Sequence, residues 1–212
     1  MAHAYFQAVV GVFRGSFQMA GGLKLSSGRL CLRRWRDEDR HAFAAMNSDA
    51  RVMEFFRSPL SRAESDAMVD RIQQHFGEHG FGLWAIEVPG VAAFIGFAGL
   101  AVARFSAPFT PCVEVGWRLA FAHWGCGYAT EAARLALGHA FGPLALGEVV
   151  SFTPGANQRS RAVMERLGMR RDPAEDFDYP SFPEGHPLRR HVLYRLGSES
   201  YVAMPSSGPG AP

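Results

Sequence analysis

A glycine-containing turn in the second half of the chain carries the residues best suited to chemistry. Residues 114–119 alternate apolar with other residues as a strand does, and residues 124–132 follow as Trp-Gly-Cys-Gly-Tyr-Ala-Thr-Glu-Ala. Glycine at positions 125 and 127 lets backbone N–H groups turn inward, and a helix start adds unpaired N–H groups and the positive end of its dipole. The segment therefore predicts a cradle for an anion such as a phosphate or pyrophosphate.

This turn does not match the common nucleotide-binding motifs. No Gly-x-x-x-x-Gly-Lys-Ser/Thr string occurs in the chain, which excludes a P-loop. A dinucleotide fingerprint would need a third glycine where Thr130 stands, and it would lie near the first strand instead of after the fourth. Because structural turns also use Gly-x-Gly, the elements around this turn must decide its role.

Composition restricts the class of protein. Of 212 residues, 48% are apolar and 20% are charged, as in soluble globular proteins. A net charge of +2 does not favour a nucleic-acid partner, and no apolar run is long enough to span a membrane. Cys31, Cys112 and Cys126 are too widely spaced to predict disulfides or a zinc site, so we expect a protein of the cytoplasm.

The elements that position the turn follow from the hydrophobic pattern. Ser61 and Glu64 have the spacing of a capping box, and Met68, Ile72 and Phe76 would form the apolar stripe of the following helix. Five helices are predicted. The first begins at about residue 37, the second covers residues 49–56 and the third begins at residue 61. The fourth runs from the glycine turn to about residue 141, and the fifth covers residues 157–167. A short strand is predicted near residues 30–35, and further predicted strands cover residues 81–88, 93–104, 112–120, 146–152 and 189–196. This order predicts one α/β (α+β) domain whose sheet mixes strand directions.

Four segments in the right order resemble a known family. Residues 29–39, with Leu30-Cys31-Leu32-Arg33, are similar to the opening strand and helix start of the GNAT acetyltransferases, in particular their ribosomal-protein N-terminal acetyltransferase branch. Residues 124–132 resemble the acetyl-CoA pyrophosphate loop of that family, residues 157–169 its Asn-x-x-Ser helix, and residues 191–196 its closing strand. The resemblance covers about residues 28–197 and implies a mixed, mostly antiparallel sheet with helices on both faces and a splayed acetyl-CoA cleft.

The resemblance also implies which residues hold acetyl-CoA, the co-substrate. The pantetheine arm would pair with the exposed backbone of residues 115–119 like an added strand, and the N–H groups of residues 123–129 would hold the pyrophosphate. Asn157 would bond the pantetheine arm, and Ser160 would lie near the thioester sulfur. The implied cofactor-binding residues are Val115, Gly116, Trp117, Arg118, Leu119, His123, Trp124, Gly125, Cys126, Gly127, Tyr128, Ala129, Thr130, Asn157 and Ser160.

Three positions depart from the family pattern. Ala122 stands where the family has Arg or Gln, and Cys126 replaces a frequent Lys or Arg, so side-chain contacts to phosphate are missing. Met164 occupies the position of a tyrosine that serves many members as general acid, and a thioether cannot donate a proton. Protonation of the leaving thiolate by a tyrosine at this position is therefore excluded.

Acetyl transfer to an amine needs a base, a hydrogen-bond donor for the carbonyl oxygen, and protonation of the thiolate. Glu114 is the candidate base, a backbone N–H near residues 115–117 the candidate donor, and Ser160 the candidate acid; each also has a purely structural reading. The acceptor is expected to be a primary amine, on a protein N-terminus or a small molecule. The candidate acceptor-binding residues are Phe55, Phe56, Trp84, Asp176 and Tyr179.

Alternatives remain open at this point. A non-catalytic acyl-CoA-binding or sensing domain would keep the cleft without turnover, and a transferase could use another acyl donor.

No metal is expected, because His75 and His79 share a helix face without zinc-protease spacing and a solvated face is favoured. Neither a nucleic acid nor a membrane is expected as a partner, and the oligomeric state is open, with a homodimer among the candidates. We expect an N-terminal extension over residues 1–27, in which Met19 is an alternative start, and a flexible tail over residues 198–212.

Overall fold

The computed structural model describes residues 24–202. Met19 and nearly all of the predicted N-terminal extension lie outside the described residues, as does the predicted tail from residue 203 onward. The described chain starts with strand pairing at residue 25, three residues before the predicted start of the domain. No helix among the described residues is long and apolar enough to cross a membrane.

In the described part of the chain, nine strands form one sheet. They are β1 (Leu25–Ser26), β2 (Cys31–Arg33), β3 (Leu83–Val88), β4 (Ala92–Val102), β5 (Val113–Leu119), β6 (Glu148–Pro154), β7 (Arg170–Arg171), β8 (Phe177–Asp178) and β9 (Arg190–Gly197). Their order is β1-β2-β3-β4-β5-β6-β9-β7, with β8 paired to β9. All neighbours are antiparallel except β5 and β6. The predicted mixed, mostly antiparallel sheet is therefore confirmed.

Within residues 24–202, five helices accompany the sheet: α1 (Asp39–Ser48), α2 (Arg62–His79), α3 (Tyr128–Phe141), α4 (Gln158–Arg166) and α5 (Ser198–Val202). Local sequence explains α2 well. The Ser61 side chain accepts a hydrogen bond from the Glu64 backbone N–H, and the Glu64 carboxylate accepts one from the Ser61 backbone N–H, which confirms the predicted capping box. The helix ends at Gly80, whose φ of 75° is the left-handed conformation that glycine adopts without strain.

The predicted helix over residues 49–56 is wrong. These residues form successive turns, and the Asp49 carboxylate accepts a hydrogen bond from the Arg51 backbone N–H at 2.9 Å. A side chain that bonds the backbone two residues ahead offers the chain an alternative to the helical hydrogen bond, so a turn replaces the helix. Val52 and Met53 are nevertheless buried, and both belong to the main hydrophobic core.

Two further expectations need correction. The predicted tail starts as α5 instead of flexible chain, because the Tyr201 ring packs against Phe141 of α3 with ring centroids 4.9 Å apart. His75 is buried instead of solvated: its Nδ1 lies 2.9 Å from the Phe81 carbonyl oxygen, and its Nε2 accepts a hydrogen bond from the Val102 N–H at 3.0 Å. This histidine joins the end of α2 to the end of β4 and has a structural role.

Helix α3 packs on the sheet through its alanines. Ala132, Ala133, Ala136 and Ala140 are completely buried and give the helix a smooth face of small residues. Small side chains allow the helix axis to approach the strands closely, which brings the start of α3 beside the end of β5. The packing of α3 therefore sets the position of the glycine turn relative to β5.

Candidate active site

The cleft lies where β5 and β6 separate. These two parallel strands pair at a single position, Glu114 with Val150, and diverge beyond it. The gap opens into a cleft with a volume of about 2020 Å³, lined by both strands, the glycine turn and the start of α4. The splay that the family resemblance implied is thus present, at the predicted strands.

Every second residue of β5 directs its backbone N–H and C=O groups toward this gap. Ala120 donates its N–H to the Ile95 carbonyl oxygen, and hydrogen-bonded positions alternate along an antiparallel pair. Residues 114, 116 and 118 therefore direct their backbone groups to β4, whereas Val115, Trp117 and Leu119 direct theirs toward β6. Because β6 has already diverged at Trp117, no strand of the described chain pairs with the N–H and C=O of this residue, and an extended ligand can bind there as an added strand.

The glycine turn has the geometry of an anion cradle. Gly125 has φ 76° and Gly127 has φ 80°, and Gly127 is the N-cap of α3. The first hydrogen bond of the helix runs from the Glu131 N–H to the Gly127 carbonyl, so the preceding N–H groups have no partner within the helix. A Cβ built on Gly125 would meet no atom within 4 Å, which means that the backbone is open to a ligand here.

Arg29 is a cation at this cradle that the sequence reasoning missed. Its Nη1 donates to the Cys126 carbonyl oxygen at 3.1 Å, its Nε donates to Glu131 at 2.7 Å, and its guanidinium lies 5.1 Å from the centre of the Tyr128 ring. The hydrogen bond with Glu131 raises the pKa of Arg29 above its ordinary value. Its side chain is 54% exposed and lines the cleft. No local pattern could reveal it, because it lies 97 residues before Cys126.

Asn157 and Ser160 lie together at the start of α4. Asn157 is the N-cap: its side-chain oxygen accepts from the Ser160 N–H at 3.2 Å, and its Nδ2 donates to Thr153 at 3.0 Å and to the Ser160 hydroxyl at 3.1 Å. Both residues line the cleft. Their proximity to each other is thus explained by helix capping, and their contacts with a cofactor stay predictions.

Glu114 projects over Gly116 into the cleft. A side chain at Gly116 would begin 3.6 Å from the Glu114 Oε1 atom, since residues two apart on a strand share a face. Burial raises the pKa of Glu114 to about 8. Burial and, less strongly, the neighbouring Glu114 raise the pKa of Cys112 to about 12. A carboxyl group that exchanges its proton near neutral pH and faces a cleft is suited to acid–base chemistry.

Arg118 lies on the same face of β5, two residues beyond Gly116. Its side chain is buried, its Nη1 donates to the Asn47 side-chain oxygen at 2.7 Å, and its guanidinium lies 3.9 Å from the centre of the Phe56 ring. Burial lowers its pKa to about 10. The expectation that Arg118 contributes to cofactor binding concerned its backbone, which points to β4; its side chain lines the cleft instead.

The predicted acceptor residues divide into two groups. Phe55, Phe56 and Tyr179 line the cleft. Trp84 does not, because it is completely buried and packs against His139 of α3 at 5.6 Å; its large apolar surface drives it into the core. Asp176 does not line the cleft either, since its carboxylate pairs with Arg171. The assignment of Trp84 and Asp176 to the acceptor pocket is therefore wrong.

Met164 is almost completely buried and lines the cleft, and its thioether side chain has no proton to donate. This agrees with the expectation that it supplies no proton. Among residues 24–202 no group of three or more histidine, cysteine, aspartate or glutamate side chains is placed to hold a metal ion.

Comparison with known proteins agrees with this geometry. The model of a family described as an acetyltransferase (GNAT) domain matches residues 29–170. The Bacillus subtilis protein YkkB is 29% identical over 147 residues, which is 69% of this chain and 84% of YkkB. An Aspergillus fumigatus FsC-acetyl coenzyme A-N(2)-transacetylase is 34% identical over 132 residues, which is 57% of this chain and 56% of the fungal protein.

Solved structures share the architecture. The crystal structure of an acetyltransferase from Agrobacterium tumefaciens superimposes with a TM-score of 0.66 at 28% identity, covering 82% of this chain and 94% of the bacterial one. The family match spans both strands of the cleft, the glycine turn and α4. The chain is therefore an acetyltransferase of the GNAT family.

Proposed function

We propose that this acetyltransferase moves the acetyl group of acetyl-CoA directly to a primary amine while both substrates are bound in the cleft. The observation that carries the proposal is the continuous path from the left-handed glycines at 125 and 127 along the unpaired β5 edge to Glu114. This path offers N–H groups to a pyrophosphate, backbone pairing to an amide-bearing arm, and a carboxylate at the far end.

The residues present fit acetyl-CoA as a substrate. The positive φ of Gly125 and Gly127 keeps the cradle free of side chains, and Arg29 supplies a cation where Ala122 and Cys126 supply none. Among residues 24–202, no strand pairs with the backbone groups of Trp117 that face β6. Bound acetyl-CoA would supply the activated acyl group, and the other steps depend on the protein.

Glu114 acts as the base in the proposed mechanism. An amine attacks only when it has lost its proton, and the Glu114 carboxylate can accept this proton directly or through one water. The amine nitrogen then forms a bond with the acetyl carbon, and the bond from this carbon to sulfur breaks. A backbone N–H near residues 115–117 donates to the carbonyl oxygen as negative charge develops on it.

Ser160 is the proposed donor to the leaving sulfur. Its Oγ accepts a hydrogen bond from Asn157 Nδ2, and no bond donated by this hydroxyl is found within residues 24–202. The hydroxyl hydrogen is therefore available for a thiolate. Asn157 positions Ser160, because it bonds both the backbone N–H and the side chain of that residue.

The proposed acceptors are protein N-termini, as the resemblance to the ribosomal-protein branch implies, and small-molecule amines. Free Cys31, Cys112 and Cys126 support a reducing, cytoplasmic location. The test is release of the CoA thiol from acetyl-CoA in the presence of a panel of peptides and small amines. We expect release that requires an amine and yields one N-acetyl product per thiol. Absence of amine-dependent release across the panel, with acetyl-CoA bound, would contradict the proposal.

A further inference from the structure

Arg118 is a buried cation without a counter-charge. The residue is 9% exposed, and among residues 24–202 no carboxylate lies within 4.0 Å of its guanidinium. Asn47 neutralises no charge, although its side-chain oxygen accepts from Nη1 at 2.7 Å, and its Nδ2 donates to Ser65. A buried charge that lacks an opposite charge costs free energy, so a specific reason for its retention is expected.

The unused edge of the guanidinium has the shape of a carboxylate site. Nε is buried with no hydrogen-bond partner, and Nη2 has none among the described residues either. These two nitrogens share one edge of the guanidinium plane, with parallel N–H bonds that match the two oxygens of a carboxylate. The only bonded nitrogen, Nη1, lies on the other side and fixes the orientation of the group through Asn47.

Arg118 lies beside Phe56, one of the candidate acceptor residues that line the cleft. The Phe56 ring lies over the face of the guanidinium at 3.9 Å and is itself 39% exposed, and both residues line the cleft. The next residue, Arg57, also lines the cleft, is exposed, and has no carboxylate within 4.0 Å among residues 24–202. The cleft wall here therefore carries positive charge that the described part of the chain leaves unbalanced.

We propose that Arg118 binds a carboxylate carried by the acceptor amine, through Nε and Nη2, and thereby selects anionic acceptors. This inference rests on the proposed transferase function. Glu114 and Gly116 mark the position of the amine, and Arg118 lies two residues further along the same face, roughly 6–7 Å away at the rise of a strand. An acceptor in which a few single bonds separate amine and carboxylate spans this distance, either as a small amino carboxylate or as a peptide with an acidic residue near its N-terminus.

The experiment compares each carboxylate with its uncharged amide. Acceptors are ω-amino carboxylates from β-alanine to 6-aminohexanoate with their primary amides, and peptides that carry Asp or Asn at the second or third position. For the wild-type protein we expect kcat/KM to be at least about tenfold higher for the acid of the best pair, mainly through KM. The small-molecule and peptide pairs distinguish the two sources of the carboxylate.

Variants assign the preference to the guanidinium. Arg118→Met should remove the preference for the acid, and Arg118→Lys should keep part of it, because a lysine retains the charge but not the two parallel N–H bonds. The matched control is Arg51→Met. The Arg51 guanidinium lies 3.8 Å from the centre of the Phe121 ring, but it does not line the cleft, so this variant should keep the full preference.

Each outcome decides a separate question. Equal kcat/KM for acid and amide in the wild-type protein, or an unchanged preference in Arg118→Met, overturns the inference but leaves the transferase proposal intact. If Arg118→Met fails to fold, the inference is tested by the ratio of kcat/KM for acid and amide in the wild-type protein and by the change of this ratio in Arg118→Lys. If no amine is acetylated, titration with N-acetyl-6-aminohexanoate and its amide in the presence of CoA is the remaining test. If N-acetyl-6-aminohexanoate binds and its amide does not, the carboxylate site is supported although the transferase proposal fails. If neither compound binds, both proposals are overturned.

Discussion

The Glu114 Oε1 atom lies 3.6 Å from the point at which a side chain on Gly116 would begin. Glycine at position 116 therefore leaves the floor of the cleft open under the carboxylate, one residue before the unpaired backbone of Trp117. Any larger residue would fill the space in which an amine must approach both the carboxylate and the β5 edge. This relationship links the candidate base to the candidate cofactor path.

The rate profile of Glu114→Gln tests the base. If Glu114, with a pKa of about 8, removes the proton from an alkylammonium group, kcat/KM of the wild-type protein should rise with pH up to about 8 and then level off. The variant should lose about 10² to 10⁴-fold at neutral pH and should approach the wild type at high pH, where free amine is abundant. Unchanged turnover of the variant at pH 7 would remove Glu114 from the mechanism.

Stability should also depend on the Glu114 proton. Burial raises the folded-state pKa from 4.5 to about 8, so the folded protein holds a proton that the unfolded chain releases between these values. This stabilising contribution is complete below about pH 4.5 and is lost as the pH rises through 8. The melting temperature of the wild type, relative to that of Glu114→Gln, should therefore fall between pH 5 and pH 8.5. A constant difference between the two melting curves contradicts a raised pKa.

Gly127→Val should weaken acetyl-CoA binding much more than Cys126→Ala. A β-branched residue at φ 80° is strained by at least about 1–2 kcal/mol, and its side chain would crowd the N–H groups at the helix start. Position 126 contributes only its backbone. Calorimetric titration with acetyl-CoA should show at least a tenfold loss for the valine variant and little change for the alanine variant. Equal affinities in both variants mean that the turn is purely structural.

Arg29→Met tests the cation at the cradle. Because Arg29 bonds the Cys126 carbonyl oxygen and Glu131 beside the glycine turn, its loss should weaken acetyl-CoA binding several-fold and reduce the salt dependence of that binding. Arg36→Met is the matched control, since Arg36 is 55% exposed, pairs with Glu87, and does not line the cleft. Equal losses in the two variants would show that Arg29 has only a structural role.

Short-range signals were sufficient for most elements of the fold and for the position of the site. The capping box at Ser61 and Glu64, the left-handed glycines at 125 and 127, and the alanine face of α3 depend on residues within a few positions of one another. Local backbone preference and periodicity determine such features, so the sequence alone predicts them. The same local signals predicted a helix over residues 49–56, and this prediction was wrong because the Asp49 side chain favours a turn.

Only the tertiary structure decided which side chains reach the cleft. Trp84 and Tyr179 are both aromatic, yet Trp84 packs inside the core whereas Tyr179 lines the cleft. Arg29 reaches the glycine turn across 97 residues of sequence, and Arg118 meets Asn47 across 71. The sequence determined the family and indicated the candidate cradle and the candidate base, because the residues that carry each of them lie in contiguous segments. The long-range contacts depend on how helices and strands pack together, and no local pattern records that packing.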